Sequence, residues 1–157
     1  MSQNQEIMNQ PQPALSNITF RQKSTALSLI ITGSATAYYI ANMWPMRPIA
    51  LANDVIPAGY GNLLLTTLAL IIVAEIILQI VLVIGAGSAP AALAQEKNAA
   101  LKARRNAYGV LAFGALAAIG SVFLEELTPF CTANLAFLGL CFAEIVNYAS
   151  QLFYARR

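Results

Sequence analysis

Residues 61–84 read GNLLLTTLALIIVAEIILQIVLVI, a run in which Glu75 is the one charge. About 20 apolar residues in a helix cross the hydrocarbon of a bilayer, so this segment reads as a membrane span. Three further runs, at about 24–44, 106–124 and 131–153, approach that length. The chain of 157 residues is 58% apolar and only 10% charged, where a soluble domain carries about a quarter charged residues. The pattern predicts an all-α polytopic membrane protein. Its four transmembrane helices form two antiparallel hairpins within a domain covering 20–157.

Basic residues set the expected orientation. Arg21 and Lys23 precede the first run, Lys97, Lys102, Arg104 and Arg105 separate the second from the third, and Arg156 and Arg157 follow the fourth. Only Arg47 lies on the other side, beside Asp54, Glu125 and Glu126. Under the positive-inside rule both termini are cytoplasmic. Residues 1–19 hold Gln, Asn and Pro without a basic start or an apolar run. They read as a disordered cytoplasmic tail rather than a signal peptide.

The chain contains no histidine, which excludes His-ligated haem, an imidazole metal site and an imidazole base. Cys131 and Cys141 share one run, and ten helical residues hold them about 15 Å apart, beyond disulfide reach. No nucleophile elbow, P-loop, HExxH or CxxC occurs. The expectation is a non-enzymatic protein without a cofactor.

Between the runs, Trp44-Pro45 ends the first span with an interfacial aromatic and a helix breaker. The loop PMRPIALANDVIPAGYG follows, and its IALA segment is expected to fold back onto the bundle. Ser88 and Pro90 fit the start of a cytoplasmic helix that runs on into the third span. Glu125 to Pro129 leaves room only for a tight outer turn. A duplication is suggested by Ala74-Glu75-Ile76 and Ala143-Glu144-Ile145, by Tyr39 and Tyr108 at the same offset, and by Asn62 and Asn134 near the outer start of their spans.

The repeated Ala-Glu-Ile poses the chemical question. A charged carboxylate at mid-span costs about 2.5–3.5 kcal/mol on the insertion scale. Glu144 shares a face with Cys141, Asn147, Tyr148 and Gln151, and Glu75 with Gln79. Thr25, Ser28, Thr32, Thr36 and Tyr39 form a hydroxyl stripe, while Ala103, Ala107, Val110, Gly114, Ala118 and Ser121 form a small-residue stripe that permits close approach. The expected product is a polar intramembrane seam of Glu75, Gln79, Glu144, Asn147 and Gln151. It reads as a proton or cation pathway, as a ligand pocket closed at the centre of the bundle, or as interhelical hydrogen bonding in which the two glutamates share a proton.

Lys97, Lys102, Arg104 and Arg105 form a cytoplasmic basic surface. This reads as a topology determinant on anionic headgroups or as a docking surface for a cytoplasmic protein; direct nucleic-acid binding is not expected from so short a run.

The runs QEKNAALKARRNAYGVLAFGAL and TPFCTANLAFLGLCFAEIVNYASQLFYARR carry a resemblance. They resemble a family of small uncharacterised four-helix bacterial inner-membrane proteins, often encoded beside helix-turn-helix regulators. The matching positions are Ala133-Asn134, Ala143-Glu144-Ile145, Gln151-Leu152, Tyr154 and Arg156-Arg157, over about 95–157. The family's acidic Asp-Glu-Arg-Asp motif is reduced here to Gln95-Glu96-Lys97-Asn98. The resemblance implies an inner-membrane location and a cytoplasmic regulatory partner.

Three functions are therefore expected in turn. The first is a regulatory or interaction protein docking a partner at 88–105. The second is a small proton- or cation-coupled transporter using Glu75 and Glu144, in a bilayer and as a homodimer. The third is an accessory subunit of a larger membrane complex.

Overall fold

A computed structural model describes residues 20–86, 94–124 and 127–155. Among them the chain is helical throughout: α1 (Phe20–Met43), α2 (Arg47–Asn53), α3 (Tyr60–Ala86), α4 (Ala94–Ser121) and α5 (Pro129–Ala155). The expected tail at 1–19, the helix start at Ser88 and Pro90, the acidic pair Glu125-Glu126 and the closing arginines lie outside the described residues.

The helix ends follow from local chemistry. Pro45 tightens the chain into a 3-10 turn at Trp44–Met46, and α2 follows directly. Asp54 then stops α2 in the left-handed region, with φ 50°, a conformation short polar side chains tolerate. Gly59 makes the second such turn at φ 83°, and its carbonyl accepts the Leu63 N–H at 3.0 Å at the start of α3. The expected fold-back of IALA is α2, whose Ala50 is fully buried. α4 runs unbroken from its charged first turns into its apolar half.

Among the described residues, two helices are long and apolar enough to cross a membrane: Tyr60–Gly85, with mean hydropathy 2.8, and Pro129–Ala155, with 1.6. α1 and α4 fall short of that measure. The hydroxyl stripe dilutes α1, and Glu96, Lys97, Lys102, Arg104 and Arg105 occupy the first half of α4.

α4 and α5 make the closest pair, α1 packs against α5, and α3 packs against α1. The small-residue stripe explains the first contact, since Ala103, Gly114, Ala118 and Ser121 are all buried. A Cβ at Gly114 would stand 2.7 Å from the Gly139 Cα, so the two backbones touch. Ser121 and Thr132 add a hydroxyl pair at 2.8 Å. By contrast, none of the most apolar stretch of α3 is buried.

The core gathers at one end, where Tyr39, Met43, Ala50, Tyr60, Leu63, Phe130, Phe137 and Cys141 cluster. The suggested duplication does not extend to environment. Tyr39 is fully buried while Tyr108 is 72% exposed; Asn134 is buried while Asn62 is exposed.

Candidate functional site

At the core end the polar groups satisfy one another. The Tyr39 hydroxyl lies 2.6 Å from Asn134 Oδ1 and 2.9 Å from the Tyr60 hydroxyl. Asn134 Nδ2 in turn donates to the Phe130 carbonyl at 2.7 Å. Phe137 packs on Tyr39 with ring centroids 4.5 Å apart, and Phe130 on Tyr60 at 4.8 Å. Three helices, α1, α3 and α5, meet here, and Tyr39 is fully buried among them.

Toward the other end the helices part. A cavity of about 380 Å³ opens between the first half of α1, the last half of α3, the first turns of α4 and the last turns of α5. Antiparallel helices align residues in layers, and α1 and α3 do so here. Ser28 Oγ donates to Glu75 Oε2 at 2.7 Å. One turn nearer the mouth, Gln79 Nε2 donates to Ser24 Oγ at 3.1 Å. Arg21, one turn before Ser24 on α1, also lines the cavity, as do Arg104 from α4 and Tyr148 and Gln151 from α5.

Glu75 is the chemically distinct group of this cavity. Its Oε1 is buried and has no hydrogen-bond partner among the described residues. A buried carboxylate oxygen without a donor is costly, so this oxygen has capacity for a hydrogen-bond donor that the described residues do not supply. No cluster of three or more His, Cys, Asp or Glu that could hold a metal occurs among the described residues.

The expected seam is thus divided. Glu75, Gln79 and Gln151 line the cavity. Glu144 is exposed and accepts a 3.4 Å bond from Asn147 Nδ2. Asn147 also accepts from Gln151 Nε2 at 3.0 Å. The two glutamates make no hydrogen bond to each other; each has its own donor, Ser28 or Asn147. Tyr148 stands within electrostatic reach of both.

Lys97, Lys102, Arg104 and Arg105 are all exposed. Lys102 Nζ sits 5.8 Å from the centre of the Tyr154 ring, and Arg104 turns to the cavity. Sequence reasoning missed the Tyr39–Tyr60–Asn134 cluster and the place of Arg21 in the cavity lining. Tyr60 reads as an interfacial aromatic and Arg21 as a topology charge, and neither pattern shows which helices meet. No family model matches this chain, and no curated protein or solved structure matches it either.

Proposed function

We propose that this is a non-enzymatic protein of the inner membrane, crossing it four times with both termini cytoplasmic, which carries protons or a proton-coupled solute by way of Glu75. Exposed apolar side chains support four spans. α1 presents Ile30 and α4 presents Phe113, Leu116 and Ile119 to the surroundings, and a continuous apolar surface of this kind suits lipid rather than water. The charge distribution favours a cavity that opens on the cytoplasmic side.

The observation that carries the reading is the asymmetry around one carboxylate. Glu75 stands in a cavity that Arg21 and Arg104 also line, while Tyr39, Tyr60 and Asn134 pair with one another at the core end. An ionisable group inside a span marks a transport or proton pathway. Ser28 holds one carboxylate oxygen, and the other has no donor among the described residues. Release to the far side requires the tyrosine–asparagine cluster to separate. Proton flux in proteoliposomes tests this. Flux should fall to background in Glu75→Gln and persist in Glu144→Gln; unchanged flux in Glu75→Gln would contradict it.

A second reading, docking of a cytoplasmic regulatory protein at 88–105, draws on Leu101. That residue is 64% exposed on the α4 face carrying Lys97, Arg104 and Arg105. A soluble partner that co-purifies with the chain, and is lost when Lys102, Arg104 and Arg105 are replaced by Ala, would support it. A chain that purifies alone under mild detergent counts against it.

A further inference from the structure

The segment that joins α1 to α3 is apolar on almost every side, yet little of it is covered. In α2 only Arg47 and Asn53 are polar, and the Asn53 amide turns back to donate to the Ile49 carbonyl at 3.1 Å. Ala50 is seated fully in the core cluster with Tyr39, Met43 and Tyr60. Around it Ile49 and Ile56 are each 55% exposed, and Trp44 in the preceding turn is 61% exposed. A helix apolar on nearly all sides needs an apolar cover, and an exposed patch of this kind marks a contact surface.

Charge and length say what the cover is. The Arg47 guanidinium sits over the Trp44 ring, 5.4 Å from its centre, and Arg47 forms no ion pair among the described residues. A guanidinium in that seat keeps N–H groups for an oxyanion. α1 has 24 residues and α3 has 27, so they run about 36 Å and about 40 Å. The hydrocarbon of a bilayer is about 30 Å thick, and about 40–45 Å with its headgroup layers. Spans of these lengths emerge within the headgroup layer rather than beyond it. α2 begins there, separated from α1 only by the turn Trp44–Met46. Apolar side chains, a tryptophan and an arginine at that depth match the upper acyl chains, the interface and a phosphodiester in turn.

We propose that α2 lies in the headgroup layer of the outer leaflet, with Ile49 and Ile56 among the upper acyl segments and Arg47 on a phospholipid phosphate. This goes beyond the transport reading and rests only on its four-span topology.

The test is depth-dependent fluorescence quenching of the full chain in liposomes. Trp44 is the one tryptophan of the sequence, so the native protein reports the turn. The double variant Trp44→Phe, Ile49→Trp reports α2 itself. The quenchers are phospholipids with a doxyl label near the headgroup or near the acyl terminus, and acrylamide in the water. Both tryptophans should be quenched at least twofold more by the shallow label than by the deep one. Both should be quenched at least twofold less by acrylamide than free tryptophanamide is. Arg47→Gln should shift the Trp44 ratio toward the deep label, and Arg47→Lys should keep it.

Quenching by acrylamide alone would put the segment in water. Stronger quenching by the deep label would immerse it in hydrocarbon, and quenching by neither agent would put protein over it, a second copy or another chain. Each of these overturns the proposal, and an unchanged ratio in Arg47→Gln overturns the phosphate contact. A chain that alkaline carbonate releases from the liposomes removes the four-span reading and this inference together. A chain that is retained but quenched only by acrylamide removes this inference alone. Shallow quenching in a protein without proton flux supports it while removing the transport reading.

Discussion

At one end of the molecule Tyr39, Tyr60 and Asn134 satisfy each other's hydrogen bonds while Phe130 and Phe137 fill the space around them. At the other end the same helices stand apart, and Glu75 has a single donor above a cavity. Both ends use polar residues inside apolar helices. They differ in whether those residues find partners within the protein. A fully paired cluster holds helices together; a partly paired one leaves capacity for something that arrives. The closed end is thus suited to sealing and the open end to binding.

The largest expected effect comes from the open end. Glu75→Gln keeps the shape of the side chain and the bond from Ser28 Oγ, yet removes the charge. Proton flux should drop more than tenfold, to background, with little loss of stability. A large loss of stability with intact flux would assign Glu75 to the frame and erase the contrast between the ends.

Next is the hairpin that supports both ends. Gly114→Ala introduces a Cβ 2.7 Å from backbone at Gly139, so α4 and α5 must separate. Overpacking of this sort costs about 1–3 kcal/mol, readable as a lower denaturant midpoint in detergent. An unchanged midpoint would mean that the α4–α5 contact is looser than described.

Tyr39→Phe keeps the ring against Phe137 but removes bonds to Tyr60 and Asn134. The expected cost is about 1 kcal/mol, together with an increased passive proton leak in liposomes. Loss of stability without leak would show that the cluster only holds the helices together. The smallest effect belongs to Ser24→Ala. Its bond to Gln79 is exposed, and interhelical hydrogen bonds in membranes average about 0.6 kcal/mol, so its midpoint should move least of the three.

Hydropathy made the long helices legible, and the helix formers after Ser88 anticipated that α4 would begin well before its apolar half. The small-residue stripe from Ala103 to Ser121 also identified the face that α5 covers. What the sequence could not show was rotation. Glu75 and Glu144 sit in the same tripeptide, on helices expected to run the same way, yet one lines the cavity and the other is exposed. In a soluble helix the polar face announces the solvent side. In α3 nearly every side chain is apolar, so the pattern carries little information about which side meets the protein. Tyr39 was visible within a hydroxyl stripe, but its partners come from α3 and α5, and only the packing brings them together.

The central claim is that the cavity at Glu75 opens to the cytoplasmic side alone. Gln79→Cys, placed in a background with Cys131→Ala and Cys141→Ala, tests it by labelling with a membrane-impermeant maleimide in vesicles of each orientation. The account expects rapid labelling in inside-out vesicles and none in right-side-out vesicles. Labelling from the outer face, or protection from both, would contradict it.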